Sequence, residues 1–85
     1  MKHASESTLI AISSFLEQVR AVRGLREKKT GVFYWKSRAF LHFHEDRAGI
    51  FADVRLSGPD FDRFPVTTPA QQRKILEAIK KAAAS

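Results

Sequence analysis

Cysteine is absent from the 85 residues of this chain. That excludes a disulfide scaffold, thiol catalysis and thiolate metal sites, and it fits a reducing compartment. Glycine is sparse: Gly24, Gly31, Gly49 and Gly58 are scattered, so no phosphate-cradling loop is present. No serine lies in a nucleophile-elbow context. The longest apolar run near the N-terminus is cut by Ser13 and Ser14. Neither a signal peptide nor a spanning helix is expected, and a cytoplasmic location without membrane contact is the default. Internal repeats and low-complexity tracts are also missing.

Acidic residues are scarce in one stretch. Between residues 20 and 38, Glu27 is the one acid against seven bases, so this stretch carries the whole net charge of +6. The cations are Arg20, Arg23, Arg26, Lys28, Lys29, Lys36 and Arg38. Clustered charge concentrates anionic partners such as nucleic acid or phosphorylated metabolites. The dipole of a preceding helix accounts for Arg20 and Arg23 without any partner.

What is present reads as one small globular domain spanning residues 1–85, with 44% hydrophobic and 28% charged residues. Its ends, 1–6 and 82–85, are expected to fray. Leu9, Ile12, Leu16 and Val19 recur at helical spacing, with Phe15 and Val22 widening the stripe. Ser5 or Ser7 caps this helix and Gly24 ends it. A second helix has clearer punctuation: Thr68 as N-cap, Pro69 at the first position and Gln71 completing a capping box. Its buried stripe is Ile75, Leu76, Ile79 and Ala83.

Between the helices, residues 31–56 alternate strictly. Val32, Tyr34, Ala39, Leu41, Phe43, Ile50, Ala52, Val54 and Leu56 form one face, an ordinary core. Phe33, Trp35, Arg38, Phe40, His42, His44, Phe51, Asp53 and Arg55 form the other, mixed face. Turns at Lys36-Ser37 and at 45–48 divide the segment into three strands. Lys36 and Ser37 do not favour the positive φ of a two-residue hairpin loop, so a bulge is expected there. Pairing His44 with Gly49 keeps apolar residues opposite one another, whereas a slip by one residue sets Leu41 against Asp53. Residues 60–67 read either as a helical turn, from Phe61 and Phe64, or as extended chain. The expected fold is α+β: a two-layer α-β-β-β-α domain with a three-stranded antiparallel meander and both helices packed on one face.

The mixed face holds the candidate site. His42 and His44 project the same way, with Cβ atoms roughly 7 Å apart. With Asp53 on the neighbouring strand they offer the raw material of a facial metal triad or an acid-base pair. Trp35, Phe40 and Phe51, with Arg38 and Arg55, suit stacking on bases or holding a flat anion. The same rings also read as core, or as a homodimer interface rimmed by charge. Arg26, Lys28 and Lys29 flank the face as phosphate contacts.

The chain is also similar to the MmcQ/YjbR-like family. The likeness lies in a first helix ending in VRGLREKKTG, the following VFYWKSRAFLHFHED, a hydrophobic third strand and a Phe-Pro-Val segment. It includes the small residue-Gly-hydrophobic-x-Glu stretch, here Arg23-Gly24-Leu25-Arg26-Glu27, and the Lys/Arg-x-Phe strand, here Arg38-Ala39-Phe40. The resemblance implies a small α+β domain, a DNA-binding role and no catalytic residue set. This chain is shorter, lacking an extra strand and a tryptophan-bearing segment, and its run from His42 to Asp46 is its own.

These readings lead to a binding domain with no cofactor and no catalytic residues. The expected partner is nucleic acid or a phosphorylated or carboxylated small molecule. A metal or acid-base site at His42, His44 and Asp53, and a homodimer through the same face, are the alternatives.

Overall fold

The helix signals around Thr68 take the geometry their residue types dictate. The Thr68 hydroxyl accepts the Gln71 N–H at 3.2 Å, while the Gln71 amide oxygen accepts the Thr68 N–H at 3.0 Å. From this box the last helix, α3, runs Pro69–Ala83 and buries Ile75, Leu76 and Ile79; Ala83 is half-buried. The computed structural model describes residues 1–84. α3 extends through Ala83, and Ser85, part of the end expected to fray, lies outside the described residues.

The N-terminal helix is two helices. α1 (Glu6–Ala11) starts at Ser5, whose hydroxyl accepts the Thr8 N–H; α2 (Ser13–Arg20) buries Phe15, Leu16 and Val19. Ile12 breaks the helical path with φ −108° and ψ 25°, and its N–H divides between the Thr8 and Leu9 carbonyls at 3.3 Å each. The apolar stripe nevertheless continues across the break, because Ile12 itself is buried.

The sheet is larger than three strands. Its elements are β1 (Lys2–His3), β2 (Leu25–Lys29), β3 (Val32–Trp35), β4 (Arg38–Asp46), β5 (Gly49–Val54) and β6 (Asp62–Pro65). All pairings are antiparallel, in the order β2-β3-β4-β5-β6, and β1 pairs with the far end of β4 through His3–His44 and Lys2–Glu45. The expected meander is its centre, β3-β4-β5. β2 lies in the basic stretch, and alternation does not mark it because its inward positions are Leu25 and Glu27 rather than two apolar residues. Glu27 is kept there by Arg20, at 2.6 and 3.1 Å, and by the Gly31 N–H at 2.9 Å. Of residues 60–67, which read as a helical turn or extended chain, Asp62–Pro65 form the strand β6, with Pro65 tolerated on an edge strand.

Both hairpin turns correct the sequence expectation. Lys36 and Ser37 adopt φ +50° and +67°, the type I′ geometry their residue types do not favour. The bulge then lies within β3–β4: Phe33 opposes Leu41, but Tyr34 opposes Ala39, leaving Phe40 as the extra residue. This reverses the faces of β3. Phe33 shares the face of Leu41 and is 1% exposed, while Val32 and Tyr34 are half-buried on the opposite side. At the second hairpin the closing pair is Asp46–Gly49 rather than His44–Gly49, with Asp46 Oδ1 accepting the Ala48 N–H at 2.7 Å. The register therefore moves by two residues, which preserves the faces of residues 41–46 and of β5. On the hairpin side of the bulge Ala39 changes face with Tyr34, and Phe40, expected on the mixed face, is buried in the core.

One hydrophobic cluster joins these elements: Ile12, Phe15, Leu16 and Val19 from the first helices, Phe33, Leu41, Phe43, Ala52 and Val54 from the sheet, and Ile75, Leu76 and Ile79 from α3. Phe40 and Val66 are buried in it as well, and Trp35, Phe64 and Leu25 pack against it. The protein is an α+β fold built on an antiparallel sheet. No helix among the described residues is long and apolar enough to cross a membrane.

Candidate functional site

The observed register sets His42 directly opposite Asp53, and His44 opposite Phe51. Asp53 is 6% exposed, a buried charge that needs partners. Arg63 of β6, directly across from it, supplies two: Nε to Oδ1 at 2.6 Å and Nη2 to Oδ2 at 2.8 Å. The paired guanidinium holds the Asp53 carboxyl below the usual carboxylate range, against the opposing effect of burial. His44 Nδ1 lies 2.9 Å from Asp53 Oδ2, and His42 Nδ1 lies 3.9 Å from it. Neither contact is aligned as a hydrogen bond, so both buried nitrogens lack a hydrogen-bond partner among the described residues. Burial pushes the His42 imidazole below its ordinary value, against the upward pull of Asp53.

β1 brings in a third imidazole. His3 stacks on His44 with centroids 4.6 Å apart and lies 6.3 Å from His42, and the His42 and His44 rings are 5.1 Å apart. Residues 1–3 contain too little pattern to read as a strand, so this partner is invisible to periodicity. Phe61, just before β6, covers the other side of His42 at 4.8 Å and also receives the Arg55 guanidinium at 4.4 Å. In the 61–66 segment, Phe61 covers His42 on the mixed face and Pro65 opposes Phe51 there, while Phe64 and Val66 join the core.

The remaining candidates gather at a second place. A cleft of about 390 Å³ at the first hairpin is lined by Trp35, Lys36, Arg38, Phe40, Arg55 and residues 56–58. The Lys36 ammonium sits 4.6 Å from the centre of the Trp35 ring, and the Trp35 and Phe40 rings are 6.2 Å apart. Three cations line this cleft, with no acid among its described lining residues. On the neighbouring edge strand Arg26, Lys28 and Lys29 are exposed; Arg26 opposes Tyr34, and the Lys28 ammonium lies over the Tyr34 ring at 4.1 Å. Phe51 stands half-buried between His44 and Pro65, apart from the cleft.

One stripe of sequence therefore separates into two places: a basic aromatic cleft at one end of β4 and a histidine cluster toward the other. Sequence reasoning missed His3 and Arg63. Arg63 is recoverable once 62–65 is read as a strand, because register then sets it against Asp53. No family model, curated protein or solved structure matches this chain, so the likeness to MmcQ/YjbR-like domains rests on the quoted stretches of sequence alone.

Proposed function

We propose that this chain is a non-enzymatic binding domain that takes an anionic partner, nucleic acid before a phosphorylated or carboxylated small molecule, in the cleft between Trp35 and Arg55. The reading includes the two-layer arrangement, with the helices on one side of the sheet and the mixed face on the other. It rests on one observation: Lys36, Arg38 and Arg55 meet the half-buried Trp35 ring in a cleft with no carboxylate among its described lining residues, Phe40 forming its buried floor. Aromatic faces accept any base, and guanidinium groups hold phosphate or carboxylate through paired N–H donors. The volume suits a group of nucleotide size. Arg26, Lys28 and Lys29 extend the positive surface along β2, where a strand's backbone would track. The homodimer reading has less support, since the exposed large hydrophobic residues among those described are Met1 and Ile10, outside the mixed face.

Trp35 is the one tryptophan of the chain and lines the cleft, so its fluorescence reports occupancy directly. A single-stranded oligonucleotide should quench it saturably, with affinity falling roughly tenfold or more between about 50 and 200 mM salt if three phosphates are contacted. Arg38→Ala and Arg55→Ala should each weaken that binding. Quenching by nucleoside monophosphate or inorganic phosphate, but not by the oligonucleotide, would favour a small-molecule ligand. No response to any of these probes sinks the proposal.

A further inference from the structure

The histidine cluster carries a second inference that does not depend on the cleft. His3, His42 and His44 each present a ring nitrogen, and these three atoms lie within 4.8 Å of one another. Four-coordinate zinc, at about 2.0–2.1 Å from each nitrogen, needs ligands roughly 3.4 Å apart. His3 is exposed on a two-residue strand, so its side chain is the one free to rotate toward that spacing. His42 and His44 are held more firmly, with side chains 26% and 12% exposed, on the central strand β4.

Two further features point the same way. Nδ1 of His42 and Nδ1 of His44 make no aligned hydrogen bond among the described residues but face Asp53, at 3.9 and 2.9 Å, so Nε2 is the atom of each ring left for an ion. Arg63 has already engaged the charge of Asp53 through two hydrogen bonds. A carboxylate next to an imidazole fixes ring orientation and raises its basicity toward a metal without itself being a ligand. His3 and His42 also line a cleft of about 410 Å³ in the gap between β1 and β3, which leaves room for a water or an anion as fourth ligand.

We propose that His3, His42 and His44 form a binding site for one divalent transition-metal ion of the zinc class, with Asp53 as the carboxylate behind the histidines. Three imidazoles without a thiolate select borderline ions over calcium or magnesium, which require oxygen ligands. The site differs from a His42-His44-Asp53 triad in its third ligand, which comes from β1. A bound ion would tie β1 to β4 through side chains as well as backbone.

The experiment is titration of the full chain near neutral pH with Co²⁺ and Zn²⁺ alone, with no oligonucleotide present. Failure here therefore leaves the cleft proposal untouched. One equivalent of Co²⁺ should produce the visible absorption of a four-coordinate ion, and Zn²⁺ should displace it. His3→Ala removes an exposed side chain, so the fold should persist while affinity falls roughly tenfold or more, a loss of about 1.4 kcal/mol. In the wild-type protein, Zn²⁺ should shift the ring resonances of all three histidines. Absence of saturable binding, unchanged affinity in His3→Ala, or ring shifts confined to one histidine would each overturn the site.

Discussion

Gly49 shows how a missing side chain sets a junction. Its φ is +136°, and a Cβ placed there would collide with Thr67 Oγ1. That hydroxyl oxygen accepts the Ile50 N–H at 2.9 Å, tying the start of β5 to the chain entering α3. Gly49→Ala therefore adds overpacking to backbone strain. It should destabilise the protein by about 1–3 kcal/mol, a fall in Tm of several degrees measurable by circular dichroism. At the same scale, Asp53 shows why a residue's partners outrank its type. Its position beside two histidines is legible from alternation and suggests a metal ligand. Only the register with β6 reveals that Arg63 already occupies its oxygens, and only the pairing of β1 with β4 brings in the third imidazole, His3, from far away in sequence.

Among the elements, α3 is the one written most completely in local sequence. Thr68, Pro69 and Gln71 fix its start before any tertiary contact is considered, and the structure reproduces each role. Removing the cap with Thr68→Ala should cost about 0.5–2 kcal/mol, and Thr68→Ser should recover most of it; chemical denaturation of the three proteins checks this. β2 is the opposite case. Its inward acid depends on Arg20, which lies on a helix before it, so no window of alternating hydrophobicity marks the strand. β3 was legible as a strand but not in its facing, because one extra residue at Phe40 inverts the side-chain assignment across the hairpin. Parity survived at β4–β5, where the register error was even. That is why His42, His44 and Asp53 could be brought together from sequence although the pairing was displaced.

Across the whole molecule, excess positive charge is held in place by a few engaged carboxylates. Glu27 is the clearest, its carboxyl held below its ordinary 4.5 by the hydrogen bond from Arg20, against partial burial. A lowered folded-state value means that the interaction stabilises the protein above the ordinary value. That stability is lost as pH falls through the folded value. The stability gap between wild type and Glu27→Gln should thus be widest near neutrality and shrink as pH drops below about 4.5; denaturation series at several pH values would show it, and a gap independent of pH would refute it. The short β1 has a different consequence. Two residues of backbone cover the stretch of β4 that β3 does not reach, on the central strand of the sheet. Peeled away, they would leave a bare hydrogen-bonding edge, a template on which another chain can lay down a strand. Lys2 and His3, seated on that edge, would thereby block sheet-to-sheet polymerisation through this part of β4.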